Sequence, residues 1–205
     1  MANQNNFRPP TNKEFSILKS ELEHIKALLG FIDEKLLYKD IVIKTKSKEI
    51  IFKIDKRNIS HLLGISYKGG SKSLWYDYKK NRLSSGNISV KKDGTTVQKL
   101  RALHSFQDLF TKECVLTGRG IYERLSFDAS LRTNKLLLGI GLKFVDDEQV
   151  YYPNTSLSLK SKMMPDGEKV LRIYTIDKKK QKHFLKKKLV NPCRQQSARF
   201  FVCKK

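Results

Sequence analysis

A stripe of apolar residues spaced three and four apart runs through Phe15, Leu18, Leu22, Ile25, Leu29, Ile32 and Leu36, and no other feature limits the fold as sharply. That spacing is one face of a helix of about seven turns. Arg8-Pro9-Pro10 ends a loose arm before it, and Thr11-Asn12-Lys13-Glu14 has the form of a capping box, a hydroxyl answered three positions later by a carboxylate. Gly30 weakens the helix locally by about 1 kcal/mol. The stripe either packs on the chain's own sheet or, since it satisfies a heptad, forms a homodimer seam through residues 11–38.

β-Branched runs follow at 41–45 and 49–54, joined by Lys46-Ser47-Lys48, and predict a β-hairpin. A short helix is expected from Asp55 to Gly64, with glycine as its stop. Residues 67–94 are polar, basic and glycine-rich and predict a long surface loop carrying Trp75, Tyr76 and Tyr78. A second helix spans about 96–111. Strands are expected at 119–131, 135–145, 149–152, 155–159 and 170–176, with turns at 146–147, 153–154 and 165–167. Helices first and an antiparallel sheet afterwards make an α+β chain, with a long N-terminal amphipathic helix and a basic C-terminal tail. The divisions expected are an arm and helix over 1–38, an α+β domain over 39–190, and a tail over 191–205 in which Phe200-Phe201-Val202 can add an edge strand.

Charge narrows the partner. The sequence holds 42 Lys and Arg against 20 Asp and Glu, a net +22, and an excess of that size is kept for a polyanion. Residues 67–102 carry nine cations against two acids, and residues 165–205 carry thirteen against three. Nucleic acid is the expected partner. An anionic membrane would call for a basic amphipathic helix, and the apolar runs are far short of the roughly 20 residues that span a bilayer. The opening Met-Ala-Asn-Gln-Asn-Asn is not a charged-then-apolar leader, so a cytoplasmic location is expected. Three widely spaced cysteines and four scattered histidines suggest no disulfide framework, no metal and no cofactor. In the first basic stretch, Lys68, Lys72, Lys79, Lys80 and Arg82 can hold phosphates while Trp75 and Tyr76 stack unpaired bases. The same aromatics can equally anchor a loop to the core. Lys178, Lys179 and Lys180 extend the basic surface.

Asn58-Ile59-Ser60-His61-Leu62-Leu63-Gly64-Ile65 resembles the apolar-x-x-His-Leu-x-Gly signature of a phage-associated nuclease family grouped with barnase, EndoU, colicin ribonucleases and RelE. Arg132-Thr133-Asn134-Lys135-Leu136-Leu137-Leu138-Gly139 resembles its later strand, and Tyr151-Tyr152-Pro153-Asn154-Thr155-Ser156-Leu157 its Tyr-x-Pro-x-Thr/Ser-Leu segment. The three segments stand in the family's order across 58–176. The resemblance implies helices on a small twisted antiparallel sheet, RNA cleavage without metal, and a setting as a toxin, an abortive-infection factor or a mobile-element protein, in which an antitoxin or other protein partner is expected.

Such chemistry needs a proton carrier, a cation for the transition state and groups that position the phosphate. Histidine titrates near 6.5 and suits either proton task, so His61 is the candidate acid or base. Lys135 is the candidate cation, since fixed charge aimed at developing charge is often the largest single effect. Thr155 and Ser156 are the candidate phosphate-positioning hydroxyls. The plain alternatives are a histidine capping a helix end, a solvated lysine at a strand start, and turn residues after Pro153-Asn154. No phosphate loop, serine elbow or set of separated carboxylates is present. The expected function is a metal-independent endoribonuclease acting on single-stranded or loop RNA, with RNA preferred over DNA. The alternative is a non-catalytic binder of nucleic acid or nucleoprotein, such as a phage-encoded inhibitor of host defence. A dimeric DNA-binding regulator would need a recognition helix rich in Arg and Asn, which the sequence lacks.

Overall fold

The computed structural model describes residues 6–111, 113–122, 125–133, 138–159, 166–177 and 182–186. The predicted capping box forms. The Glu14 N–H donates to Thr11 Oγ1 at 3.3 Å and the Thr11 N–H donates to Glu14 Oε2 at 2.8 Å. Arg8 completes it with two bonds to Glu14, and these, ahead of the Thr11 donors, hold that carboxyl down at about 2. Helix α1 (Asn12–Phe31) continues as one π-helical turn, Ile32–Leu36. Leu18, Ile25, Leu29, Ile32 and Leu36 of the stripe are buried in the chain's own core, Leu22 packs against it, and Phe15 stays exposed. The seam residues are therefore turned inward.

The hairpin also forms, as β2 (Asp40–Lys44) and β3 (Glu49–Phe52), with Ile41 opposite Phe52 and Lys44 opposite Glu49. Helix α2 (Lys56–Leu63) starts on Asp55, whose carboxylate accepts from the Arg57 N–H, and stops at Gly64 in the left-handed region. The segment expected as a long loop is largely ordered structure: β4 (Ile65–Tyr67), α3 (Gly70–Lys79) and β5 (Ile88–Lys91). Leu74 and Trp75 are buried at the core side of α3, and one short apolar pair in a basic helix leaves almost no periodicity to read. β4 and β5 join β1 (Phe7–Arg8) in a three-stranded antiparallel sheet of order β1-β5-β4.

The second helical region breaks into α4 (Thr95–Ala102), a 3-10 turn at Leu103–Ser105 and α5 (Asp108–Thr111). The remaining strands are β6 (Cys114–Thr117), β7 (Gly120–Tyr122), β8 (Leu125–Phe127), β9 (Ala129–Thr133), β10 (Leu138–Val145), β11 (Val150–Ser158), β12 (Gly167–Lys169), β13 (Arg172–Ile176) and β14 (Lys182–Lys186). The strand expected over 119–131 is thus divided, and among the described residues β7 and β8 pair with each other in a separate two-stranded sheet. The main sheet has nine strands in the order β12-β6-β9-β10-β11-β3-β2-β13-β14, larger than the small sheet expected. It is antiparallel except where Tyr151 of β11 pairs with Phe52 of β3 in parallel. The two strands expected at 149–152 and 155–159 are one. Gly141 faces Thr155 and Leu142 faces Pro153, so Asn154 is the extra residue of a bulge rather than part of a turn.

Phe31 of α1 meets Phe106 and Phe110 at ring separations of 6.2 and 5.9 Å, and Phe110 meets Phe52 of the sheet at 6.3 Å. Phe52, Phe106 and Phe110 are fully buried, and burial of each such ring contributes about 1.5–3 kcal/mol. The helical layer is fixed to the sheet at this point, which sets the positions of α2 and α4 above β11. No helix among the described residues is long and apolar enough to cross a membrane. The expected tail and edge strand at 191–205 lie outside the described residues.

Candidate active site

α2 buries Ile59, Leu62 and Leu63, which leaves His61, in its last turn, facing the solvent side. His61 stands on the wall of an open cleft of about 920 Å³, with Arg8, Arg57, Ser60, Lys68 and Ser71 among its lining. Among the described residues its lining holds three cations and five hydroxyls and no carboxylate, although Arg8 and Arg57 are paired with Glu14 and Asp55 beside it. The cleft wall still removes enough water from the ring to push the His61 pKa below its ordinary 6.5, with the charges of Lys91 and Lys99 adding to the push.

Packed over Gly64, at the end of the same helix, is a pair that no local pattern indicates. Lys99, on α4, is 6% exposed, and its ammonium donates to Thr155 Oγ1 at 2.7 Å. Thr155, on β11, is 5% exposed. Burial, then the nearby Lys91 charge, lowers the Lys99 pKa to about 8, against a smaller opposing pull from Asp93. The lysine stem lies over Gly64: a Cβ there would meet Lys99 Cδ at 2.6 Å. Gly64 therefore has two reasons to be glycine, its φ of 65° and this close approach.

Hydroxyls hold the three elements together. Ser156 Oγ donates to the Leu62 carbonyl at 2.6 Å, which fastens β11 to the residue next to His61. Thr96 Oγ1 donates to the Gly64 carbonyl at 2.7 Å and accepts from the Lys91 N–H at 2.9 Å. Asn58 Nδ2 reaches the Pro153 carbonyl at 3.2 Å. The end of α2, the middle of α4 and the bulged part of β11 so converge, bringing His61, Lys99 and Thr155 into one electrostatic neighbourhood.

The other predicted residues divide. Lys68 lines the same cleft. Lys72 and Tyr76 are exposed on α3, Tyr76 at 56% with the Arg82 guanidinium 5.3 Å from its ring centre. Lys79 is ion-paired with Asp33, and Arg82 lies 3.9 Å from Asp77, so part of this basic surface is neutralised within the fold. Lys80 is exposed just past the helix. Trp75 is 4% exposed, packs on Tyr78 at 5.3 Å and has Lys56 5.7 Å above it, so its ring is covered rather than offered to a base. Ser156 is fully buried with its proton on Leu62, a holding role rather than an open hydroxyl. Lys135, Lys178, Lys179 and Lys180 lie outside the described residues.

Lys99 is the residue that sequence reasoning missed, counted only among the charges. Its signal was present: within the second helix it stands with Thr96, Leu100 and Leu103 on the inward face, where a lysine is rarely buried without a task. Among the described residues, the one group of three His, Cys, Asp or Glu side chains close enough to share an ion has no member lining this cleft.

A family model described as PBECR4, phage-Barnase-EndoU-ColicinE5/D-RelE like nuclease4, matches residues 25–195. The match takes in the last two turns of α1, the α2–α4 region and the whole nine-stranded sheet. No curated protein and no solved structure matches the chain.

Proposed function

Since the chain belongs to the PBECR4 family of phage-Barnase-EndoU-ColicinE5/D-RelE like nucleases, we propose that it is an endoribonuclease that cuts single-stranded or loop RNA without a metal ion, using His61, Lys99 and Thr155. The observation that carries this reading is the buried Lys99 ammonium bonded to Thr155, its stem packed over Gly64, three residues past a histidine on the wall of a cleft that also holds Arg8, Arg57 and Lys68. Perturbed lysines with an assigned partner in such a place are where transition-state charge is met.

In this reading neutral His61 takes the proton of the ribose 2′-hydroxyl, a task its lowered pKa favours near neutral pH. The 2′-oxygen attacks phosphorus, the bond to the 5′-oxygen breaks, and the departing oxygen takes a proton from solvent in the cleft. The products are a 2′,3′-cyclic phosphate and a 5′-hydroxyl. Lys99, still largely protonated at pH 7, offsets the charge gathering on the non-bridging oxygens, and Thr155 fixes where its ammonium points. Ser156 acts as a positioning residue through Leu62. Lys68, Lys72, Lys80 and Tyr76 give the strand its approach. DNA lacks the 2′-hydroxyl and would bind without being cut. Metal-independence is supported by a cleft lined with cations and hydroxyls, where a two-metal site would need carboxylates. The family's description associates such nucleases with phages, and the setting that fits this reading is a toxin or defence factor held in check by a protein partner.

The test is incubation of the purified protein with end-labelled total RNA in excess EDTA, beside His61→Ala and Lys99→Met. Fragments ending in 2′,3′-cyclic phosphate are expected, with kcat reduced about 10²–10³-fold when the cation is removed. Intact RNA in a retarded band would replace this reading with that of a non-catalytic binder.

A further inference from the structure

The geometry points to Glu21, His24 and His104 as a binding site for a divalent transition-metal ion, zinc foremost, lying outside the proposed RNA cleft. His104 Nε2 is 2.6 Å from Glu21 Oε2, and His24 Nδ1 is 3.5 Å from that same oxygen. The two imidazole rings lie nearly stacked, their centres 3.9 Å apart and their planes 30° apart. All three donor atoms fall within 4.8 Å of one another.

Two imidazoles and one carboxylate are the mixed nitrogen and oxygen donors that borderline ions such as zinc take. Glu21 and His24 stand three residues apart on one face of α1, and His104 arrives from the 3-10 turn after α4. Hydrogen bonding alone gives one carboxylate oxygen two imidazoles to serve, whereas a dication engages all three groups at once. Zinc sits roughly 2.0–2.2 Å from such ligands, which places tetrahedral donors about 3.3 Å apart. His24 and Glu21, at 3.5 Å, are near that spacing, while the hydrogen-bonded Glu21 and His104, at 2.6 Å, part slightly to admit the ion, an adjustment open to side chains of which His24 is 60% and His104 41% exposed. Beside the cluster is a cavity of about 90 Å³ walled by Leu28, Leu63, Leu100, Leu103 and Phe106. An apolar wall of this kind strengthens the attraction between ion and ligands, and the space admits water as the fourth ligand. Occupied, the site ties α1 to the turn that follows the helix of Lys99.

Full-length protein, stripped with EDTA and dialysed, is titrated with zinc by calorimetry and with cobalt by its visible d–d absorption. The expected result is one ion per chain, with zinc displacing cobalt. Affinity should fall by more than about 10-fold in His24→Ala, in His104→Ala and in Glu21→Gln, since even loss of an outer-shell partner costs about 10–100-fold. His61→Ala and the pair Cys193→Ser with Cys203→Ser should bind as the wild type does. Melting in EDTA shows whether each variant is folded, which the exposure of His24 and His104 favours. No saturable binding, or binding that survives the combined change of all three residues, would overturn the assignment. RNA cleavage in EDTA is read separately, so a failed nuclease assay leaves this result standing on its own.

Discussion

Burial and then the charge of Lys91 lower the Lys99 pKa to about 8, against a smaller pull from Asp93, while its ammonium donates to Thr155. Two consequences follow at this one residue. The pH–rate profile for RNA cleavage should rise with the deprotonation of His61, below the ordinary imidazole range, and fall near 8 as the Lys99 charge is lost. Lys99→Arg keeps its charge through that range, so the falling limb should move upward while kcat drops, the planar guanidinium being a poor fit for a point-charge site. A falling limb that stays near 8 in the arginine variant would remove Lys99 from the chemistry. Stability carries the same signature with a defined sign. Between about 8 and its ordinary 10.5, Lys99 binds fewer protons in the folded than in the unfolded chain, so its contribution to stability increases with pH across that window. Denaturant titrations at a series of pH values should show a flatter dependence in Lys99→Met.

At the scale of elements, α3 is where the reading from sequence and the fold part most clearly. Composition made residues 67–94 a loop with aromatics available for stacking, yet the helix buries Trp75 and exposes Tyr76 one position on. The two rings should therefore respond in opposite ways. Trp75→Ala should cost about 3–5 kcal/mol in stability, as large core truncations do, while the folded fraction binds RNA as before. Tyr76→Ala should leave stability within about 0.5 kcal/mol and weaken RNA binding by about 1–3 kcal/mol, the range of one base-stacking contact. Urea denaturation and fluorescence anisotropy of labelled RNA measure the two, and equal behaviour of the two variants would show that α3 does not present its outer face to RNA. α1 and α2 are the contrasting case. Their caps and apolar spacing are written within a few residues of one another, and both helices form where those marks stand.

For the molecule as a whole, the net +22 is a poor guide to how many phosphates it can hold, because the fold pairs part of it internally. Asp33 takes up Lys79 and Asp77 takes up Arg82, whereas Lys68 lines the cleft. The logarithm of RNA affinity should fall with the logarithm of salt concentration by about 0.7 per phosphate contacted, so Lys68→Ala should flatten that slope by about 0.7 and Lys79→Ala by less. Anisotropy titrations over a series of KCl concentrations give both slopes, and identical slopes would mean that the cleft is not the route of the strand.

The amphipathic helix, the hairpin, the α2 cap, the α+β order and the place of His61 were legible because each rests on neighbours within a turn or two of chain. Lys99 was not, since its meaning comes from Thr155, 56 positions away, and from Gly64, over which its stem lies at the end of α2. Glu21 and His104 are 83 positions apart, and four scattered histidines cannot be read as ligands until α1 crosses the turn after α4. The parallel join of β3 to β11 and the bulge at Asn154 belong to the same class. Periodicity and capping are local free energies that the chain carries wherever it goes. Burial, the charge it displaces and the donors it gathers exist only once distant segments share one interior.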